Sequence, residues 1–130
     1  MPGTVMIVDD SQMVRKQVAR TLLAAGFVVV EAQDGADALV QLSSVIPAPA
    51  LIVLDVNMPK MGGIEFLQSL RGRGPGFAMP PVVMLTTEGD PKLMQQAKAL
   101  GAKGWIIKPF RSEMLLAAVQ KLTETAPATD

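Results

Sequence analysis

Four places in the sequence carry side chains that could do chemistry together: Asp9-Asp10, Asp55, Thr86-Thr87 and Lys108. Each follows directly on an apolar run, at residues 5–8, 51–54, 82–85 and 105–107. The 130 residues include no His and no Cys, which excludes imidazole base catalysis, thiol nucleophiles, disulfides and His or thiolate metal sites. What remains is oxygen chemistry. If the three carboxylates are gathered, they repel: two unit charges ~4 Å apart cost about 4 kcal/mol at an effective dielectric near 20. A hard divalent cation relieves this, and Mg²⁺ favours one or two carboxylates completed by waters and phosphate oxygens. With Lys108 added the site comes to a net charge of about zero, so an arriving phosphoryl group is not repelled. Phosphoryl transfer to a carboxylate oxygen needs in-line positioning and cations on the equatorial oxygens. Asp55 then serves as nucleophile, the metal and Lys108 take up charge, and the Thr86 hydroxyl donates a hydrogen bond.

The elements that position these groups are legible from periodicity. The run 51–54 ends at Asp55, with Pro59 just beyond, and reads as a strand buried on both faces. The run 5–8 is a strand closed by the acidic turn, and Val14, Val18, Leu22 and Ala25 then recur at helical spacing up to Gly26. A second strand is predicted over 27–30. Asp34-Gly35 opens a second helix with Leu39 and Leu42 facing inward, ended by Pro47 and Pro49. Gly62-Gly63 leads into a third helix with Ile64, Leu67 and Leu70 on one stripe, and residues 71–81 form a long Gly/Pro-rich connection. The strand 82–85 follows, then a helix capped by Asp90 with Pro91 at its first position and Leu93, Ala97 and Leu100 inward. The strand 105–107 and a final helix with Leu115, Val119 and Leu122 inward complete the pattern. Alternating strands and helices predict an α/β layer fold, a doubly wound five-stranded parallel sheet, whose strand ends converge on one crevice.

Lys plus Arg and Asp plus Glu are 12 each, so no basic nucleic-acid surface is expected. No apolar run approaches the ~20 residues that span a bilayer, and no signal peptide opens the chain, so a cytoplasmic protein without membrane contact is expected. The length suits one domain, expected over residues 1–124, with a short fraying tail over 125–130.

Asp9-Asp10, the run 51–59 holding Asp55, Met61-Gly62-Gly63, Thr86 and Lys108-Pro109-Phe110, in this order, resemble the receiver domains of two-component response regulators. The likeness runs from about residue 5 to 122 and is nearest to the stand-alone chemotaxis regulators of the CheY type. It implies a flavodoxin-like (CheY-like) sheet of strand order 2-1-3-4-5. It also implies phosphorylation of Asp55 by a histidine kinase, Mg²⁺ held by Asp10, Asp55 and the Asn57 backbone carbonyl with Asp9 acting through water, and a cis Lys108-Pro109 bond. Thr86 and Lys108 would bind the phosphoryl group. Asn57 and Glu88 would border the path of the hydrolytic water, and Trp105 stands where the family places a Tyr or Phe switch residue.

The output surface is expected on the fourth helix, fifth strand and fifth helix, with Met94, Lys98, Trp105, Ile107 and Met114 forming an apolar patch rimmed by charge. Too few residues follow Leu122 for a DNA-binding helix pair, so the expected output is binding to a protein such as a flagellar motor switch component, by a monomer. A phosphorelay intermediate or phosphate sink is the alternative within the same family. A haloacid-dehalogenase-type phosphatase shares the Asp nucleophile and Mg²⁺, but there the acidic pair comes late in the chain, whereas here it comes first.

Overall fold

The computed structural model describes residues 3–44, 48–58, 60–74, 77–87 and 91–123. Expectations resting on Pro47, Pro59, Glu88, Asp90 and the tail 125–130 fall outside them. The elements alternate without exception: β1 (Thr4–Val8), α1 (Gln12–Ala24), β2 (Val28–Ala32), α2 (Gly35–Leu42), β3 (Leu51–Asp55), α3 (Gly63–Arg71), β4 (Val82–Thr86), α4 (Pro91–Ala99), β5 (Gly104–Ile107) and α5 (Ser112–Thr123). All strand pairs are parallel, in the order β2-β1-β3-β4-β5. The fold is the flavodoxin-like one that the alternation and the resemblance imply.

Burial divides the apolar residues between two layers. One face of the sheet, through Val5, Ile7, Val53, Val83, Leu85 and Ile106, packs on Val18 and Leu22 of α1 and Leu115 and Val119 of α5. The other face, through Met6, Val8, Ile52, Leu54, Val82 and Met84, packs on Ala38 of α2, Phe66, Leu67 and Leu70 of α3, and Ala97 of α4. Successive strand residues thus serve opposite cores, which is why β1, β3 and β4 are apolar without interruption. Among the described residues no helix is long and apolar enough to cross a membrane.

Local details depart from the sequence expectations for identifiable reasons. β2 begins at Val28, because the Phe27 amide turns back to the Leu22 carbonyl at 3.1 Å as part of the exit from α1. It then continues to Ala32, which is in register with Val8 and whose carbonyl accepts from the Asp9 amide at 3.1 Å. α2 stops at Leu42 well before the prolines: the Ser43 and Ser44 hydroxyls donate to the Val40 and Gln41 carbonyls at 2.6 and 3.1 Å and close the last turn. In α3 Phe66 joins Leu67 and Leu70 in the core while Ile64 is only partly buried.

Two glycines let the loops close under the sheet's C-terminal edge. A Cβ on Gly63 would clash with the Asp55 carbonyl oxygen, and one on Gly35 would lie 2.9 Å from the Met61 carbonyl, to which the Gly35 amide donates at 3.1 Å. The start of α3 is thereby seated against the end of β3. Gly63→Ala is expected to destabilise the protein by about 1–3 kcal/mol through overpacking, measured by urea denaturation, and to shift the backbone amide resonances around Asp55.

Candidate functional site

The C-terminal ends of β1, β3, β4 and β5 lie side by side, since Val8 is in register with Leu54, Asp55 with Leu85, and Thr86 with Ile107. The residue at or just past each end therefore enters one crevice. β1 delivers Asp9, almost fully buried, and Asp10, exposed; β3 delivers buried Asp55; β4 delivers Thr86, wholly buried; β5 is followed by Lys108. Backbone bonds extend the ladders past the strands: the Asp9 amide donates to the Ala32 carbonyl at 3.1 Å, and the Lys108 amide to the Thr86 carbonyl at 2.6 Å. The Lys108-Pro109 bond is cis.

Asp9, Asp10 and Asp55 each offer a carboxylate oxygen within 4.8 Å of the others. The Lys108 ammonium donates to Asp9 Oδ2 at 3.1 Å and pairs with Asp55 Oδ1 at 3.3 Å. Asp9 Oδ1 also accepts from the Ser11 amide at 2.9 Å, whereas the Asp10 carboxylate has no hydrogen-bond or ion-pair partner among the described residues. Burial, and then the negative charge of Asp9, push the Asp55 carboxyl up to about 6; the Lys108 ammonium pulls against this and the Asp10 charge adds to it. Burial works to lower Lys108, but the charges of Asp9 and Asp55 outweigh it and hold the ammonium above the ordinary lysine value. One lysine is too little for the cluster. Three converging hard oxygen donors with residual negative charge fit a divalent cation of the Mg²⁺ kind.

The sequence-selected residues fall into two groups. Asp9, Asp10, Asp55, Thr86 and Lys108 meet at the crevice, and Asn57 lies exposed in the loop that follows β3. Met94 and Lys98 of α4 line a surface hollow of about 310 Å³ together with half-buried Trp105. Trp105 also borders a second hollow, of about 520 Å³, with Ile107, Lys108 and Met114. Ile107 and Met114 are exposed by 50% and 59%, far more than core residues. The Trp105 Nε1–H is buried without a hydrogen-bond partner among the described residues. Glu88 is outside them.

Sequence reasoning passed over Arg15 and Glu31. Arg15 Nη1 donates to the Asp9 carbonyl at 2.7 Å and its Nε to Glu31 Oε1 at 3.1 Å. A basic residue one turn into the helix after the acidic pair was the available signal, but its partners lie on two other elements.

The match to the response regulator receiver domain family covers residues 5–120. A chemotaxis protein CheY of Treponema pallidum is 34% identical over 116 residues, 88% of this chain and 78% of that protein. The response regulator MprA of Mycolicibacterium vanbaalenii is 34% identical over 130 residues, all of this chain and 54% of that protein, so the chain spans about half the length of that relative. Among solved structures, Vibrio cholerae chemotaxis protein CheY4 superposes with a TM-score of 0.85 at 40% identity, covering 94% of this chain and 99% of that one.

The raised Asp55 carboxyl has a consequence for stability. In the metal-free protein the folded state holds a proton on Asp55 up to pH about 6, where the unfolded chain releases it near 3.8. Stability from this group therefore falls as pH rises between those values, and above pH 6 the ionised form costs about 3 kcal/mol. Asp55→Asn is expected to raise the denaturation free energy of the metal-free protein by about 1–3 kcal/mol at pH 7.5, with the gain shrinking toward pH 4, as followed by urea denaturation across that range.

Proposed function

The chain belongs to the response regulator receiver domain family, and from that premise we propose that it takes a phosphoryl group on Asp55 from a histidine kinase and signals by phosphorylation-dependent partner binding. The observation that carries this reading is the Lys108 ammonium set between Asp9 and Asp55, beside an acidic trio and the Thr86 strand end. Mg²⁺ would be held by Asp10, Asp55 and the Asn57 backbone carbonyl, with Asp9 acting through water. When bound it supplies charge neutralisation for phosphoryl oxygens at the carboxylate crevice.

An Asp55 carboxylate oxygen attacks phosphorus, the bond from phosphorus to the donor's imidazole nitrogen breaks, and the electron pair leaves with the imidazole. Lys108, already 3.3 Å from Asp55 Oδ1, then has a phosphoryl oxygen within reach, and Thr86 donates its hydroxyl to another. Water later cleaves the acyl phosphate, with Asn57 and Glu88 bordering its path. The protein turns over its own phosphoryl group and no other substrate. Movement of Thr86 toward the phosphoryl group favours an inward Trp105 and so alters the face made by α4, β5 and α5, shifting a population present at rest. Met94, Lys98, Trp105, Ile107 and Met114 are the proposed contacts there. The likeness to chemotaxis CheY proteins supports a chemotactic output such as a flagellar motor switch component; equal binding of both phosphorylation states by such a partner would assign the chain to a relay or phosphate-sink role instead.

Acetyl phosphate with Mg²⁺ is expected to add one phosphoryl group, located on Asp55 by mass spectrometry, and Asp55→Asn or a chelator is expected to abolish it. A label on Thr86 or Thr87 would overturn the mechanism. Trp105, the only Trp in the chain, reports the switch: beryllium fluoride with Mg²⁺ should change its emission, and Thr86→Ala should weaken that change while leaving Asp55 modifiable. Identical spectra at saturating occupancy would make Trp105 a fixed packing residue.

A further inference from the structure

The acidic pair must present two carboxylates to the crevice from consecutive residues in a turn. Asp9 is held directly, with its side chain accepting from the Ser11 amide and from Lys108. Asp10 has no side-chain clamp among the described residues, so its carboxylate lies wherever the backbone puts it. The decisive unit is the peptide joining Asp9 to Asp10. On the upstream side the Asp9 amide is tied to the Ala32 carbonyl of β2. On the downstream side the Asp9 carbonyl is tied to Arg15 Nη1 at 2.7 Å, a short charge-assisted bond.

Arg15 is itself aimed. Its side chain is 15% exposed, and Nε is held at 3.1 Å by Glu31 of β2, whose other oxygen lies 3.6 Å from Lys16. A planar guanidinium can serve two acceptors in fixed directions at once, which a lysine ammonium on a flexible stem does less well. The negative charge of Glu31 also offsets that of Arg15. Arg15 thus reaches the site through its hydrogen bond to the Asp9 carbonyl, in a direction that Glu31 fixes.

We propose that Arg15, oriented by Glu31, is a positioning residue for the Asp9-Asp10 turn, fixing the peptide that sets where Asp10 meets a divalent cation. The part that concerns the cation rests on the function proposed above; the part that concerns the turn does not. Supporting groups around a metal site commonly change affinity by ~10–100-fold when removed.

The experiment pairs two readouts on the full chain. In the metal-free protein, hydrogen exchange of the Ser11 amide, which is bound to Asp9 Oδ1, reports the turn. Mg²⁺ titration by calorimetry reports the carboxylates. Arg15→Ala is expected to speed Ser11 exchange relative to amides in the middle of α1 and to weaken Mg²⁺ binding on the order of 10-fold. Glu31→Ala should shift both in the same direction by less, and Glu31→Gln, which keeps an acceptor for Nε, should restore most of the loss. Lys16→Ala should leave both unchanged. Arg15→Lys and the Glu31 pair carry the test if Arg15→Ala does not fold. Unchanged Ser11 exchange in Arg15→Ala or in Arg15→Lys overturns the inference, as does a Mg²⁺ affinity within twofold of the wild type. Failure of the wild-type protein to bind Mg²⁺ would overturn the metal reading of the site and with it the second half of the proposal, while the Ser11 exchange still decides the first.

Discussion

A single ammonium group ties the site together. Lys108 reaches it from the end of β5, at the sheet's edge, and contacts carboxylates that come from β1 and β3, across the width of β4. Without it, buried Asp9 and Asp55 would face each other's charge in a crevice lined by the apolar ends of four strands. With it the Asp55 carboxyl is still raised, first by burial and then by the charge of Asp9. The fold thus holds a defined electrostatic deficit at one place. That deficit suits the crevice to a divalent cation of the Mg²⁺ kind.

Holding such a cluster requires a stiff frame, and the two cores supply it. Consecutive residues of the central strands feed opposite layers, so a register slip in any of them would exchange both cores at once. Close contacts at the C-terminal edge add to this. The α3 start sits against the Asp55 carbonyl because Gly63 has no side chain, and the α2 start sits against Met61 because Gly35 has none. Asp34 is buried yet satisfied, its carboxylate capping α2 through the Asp37 amide at 2.8 Å. Polar groups near the crevice are therefore mostly engaged in building its walls.

The face around Trp105 is looser by the same measures. Among the described residues the Trp105 indole N–H is buried without a partner, which costs about 1–3 kcal/mol, and the ring borders two hollows with exposed Ile107 and Met114 nearby. A side chain in this position has something to gain from rearrangement or from a bound partner. The same strand carries Lys108 immediately beyond it, so a change at the carboxylates has a short covalent route to this surface.

Much of this was legible in the sequence, because strands buried on both faces must be continuously apolar and the polar residue ending each run is conspicuous. Asp9-Asp10, Asp55, Thr86 and Lys108 announce themselves that way, and parallel alternation sends them to one edge. The inward stripes of α1, α4 and α5 follow from the 3.6-residue period with equal directness. Phe66 escaped that rule because α3 buries a wider stripe than its leucines mark, and the ends of β2 and α2 escaped it because backbone and serine hydrogen bonds placed them where no apolar pattern changes. The tie from Arg15 to the Asp9 carbonyl, its aim by Glu31, the distances from Lys108 to both carboxylates and the lack of a partner for the Trp105 N–H among the described residues were decided only in three dimensions. Each depends on distances between groups on different elements, and local residue pattern carries directions along one element, not the separations among several.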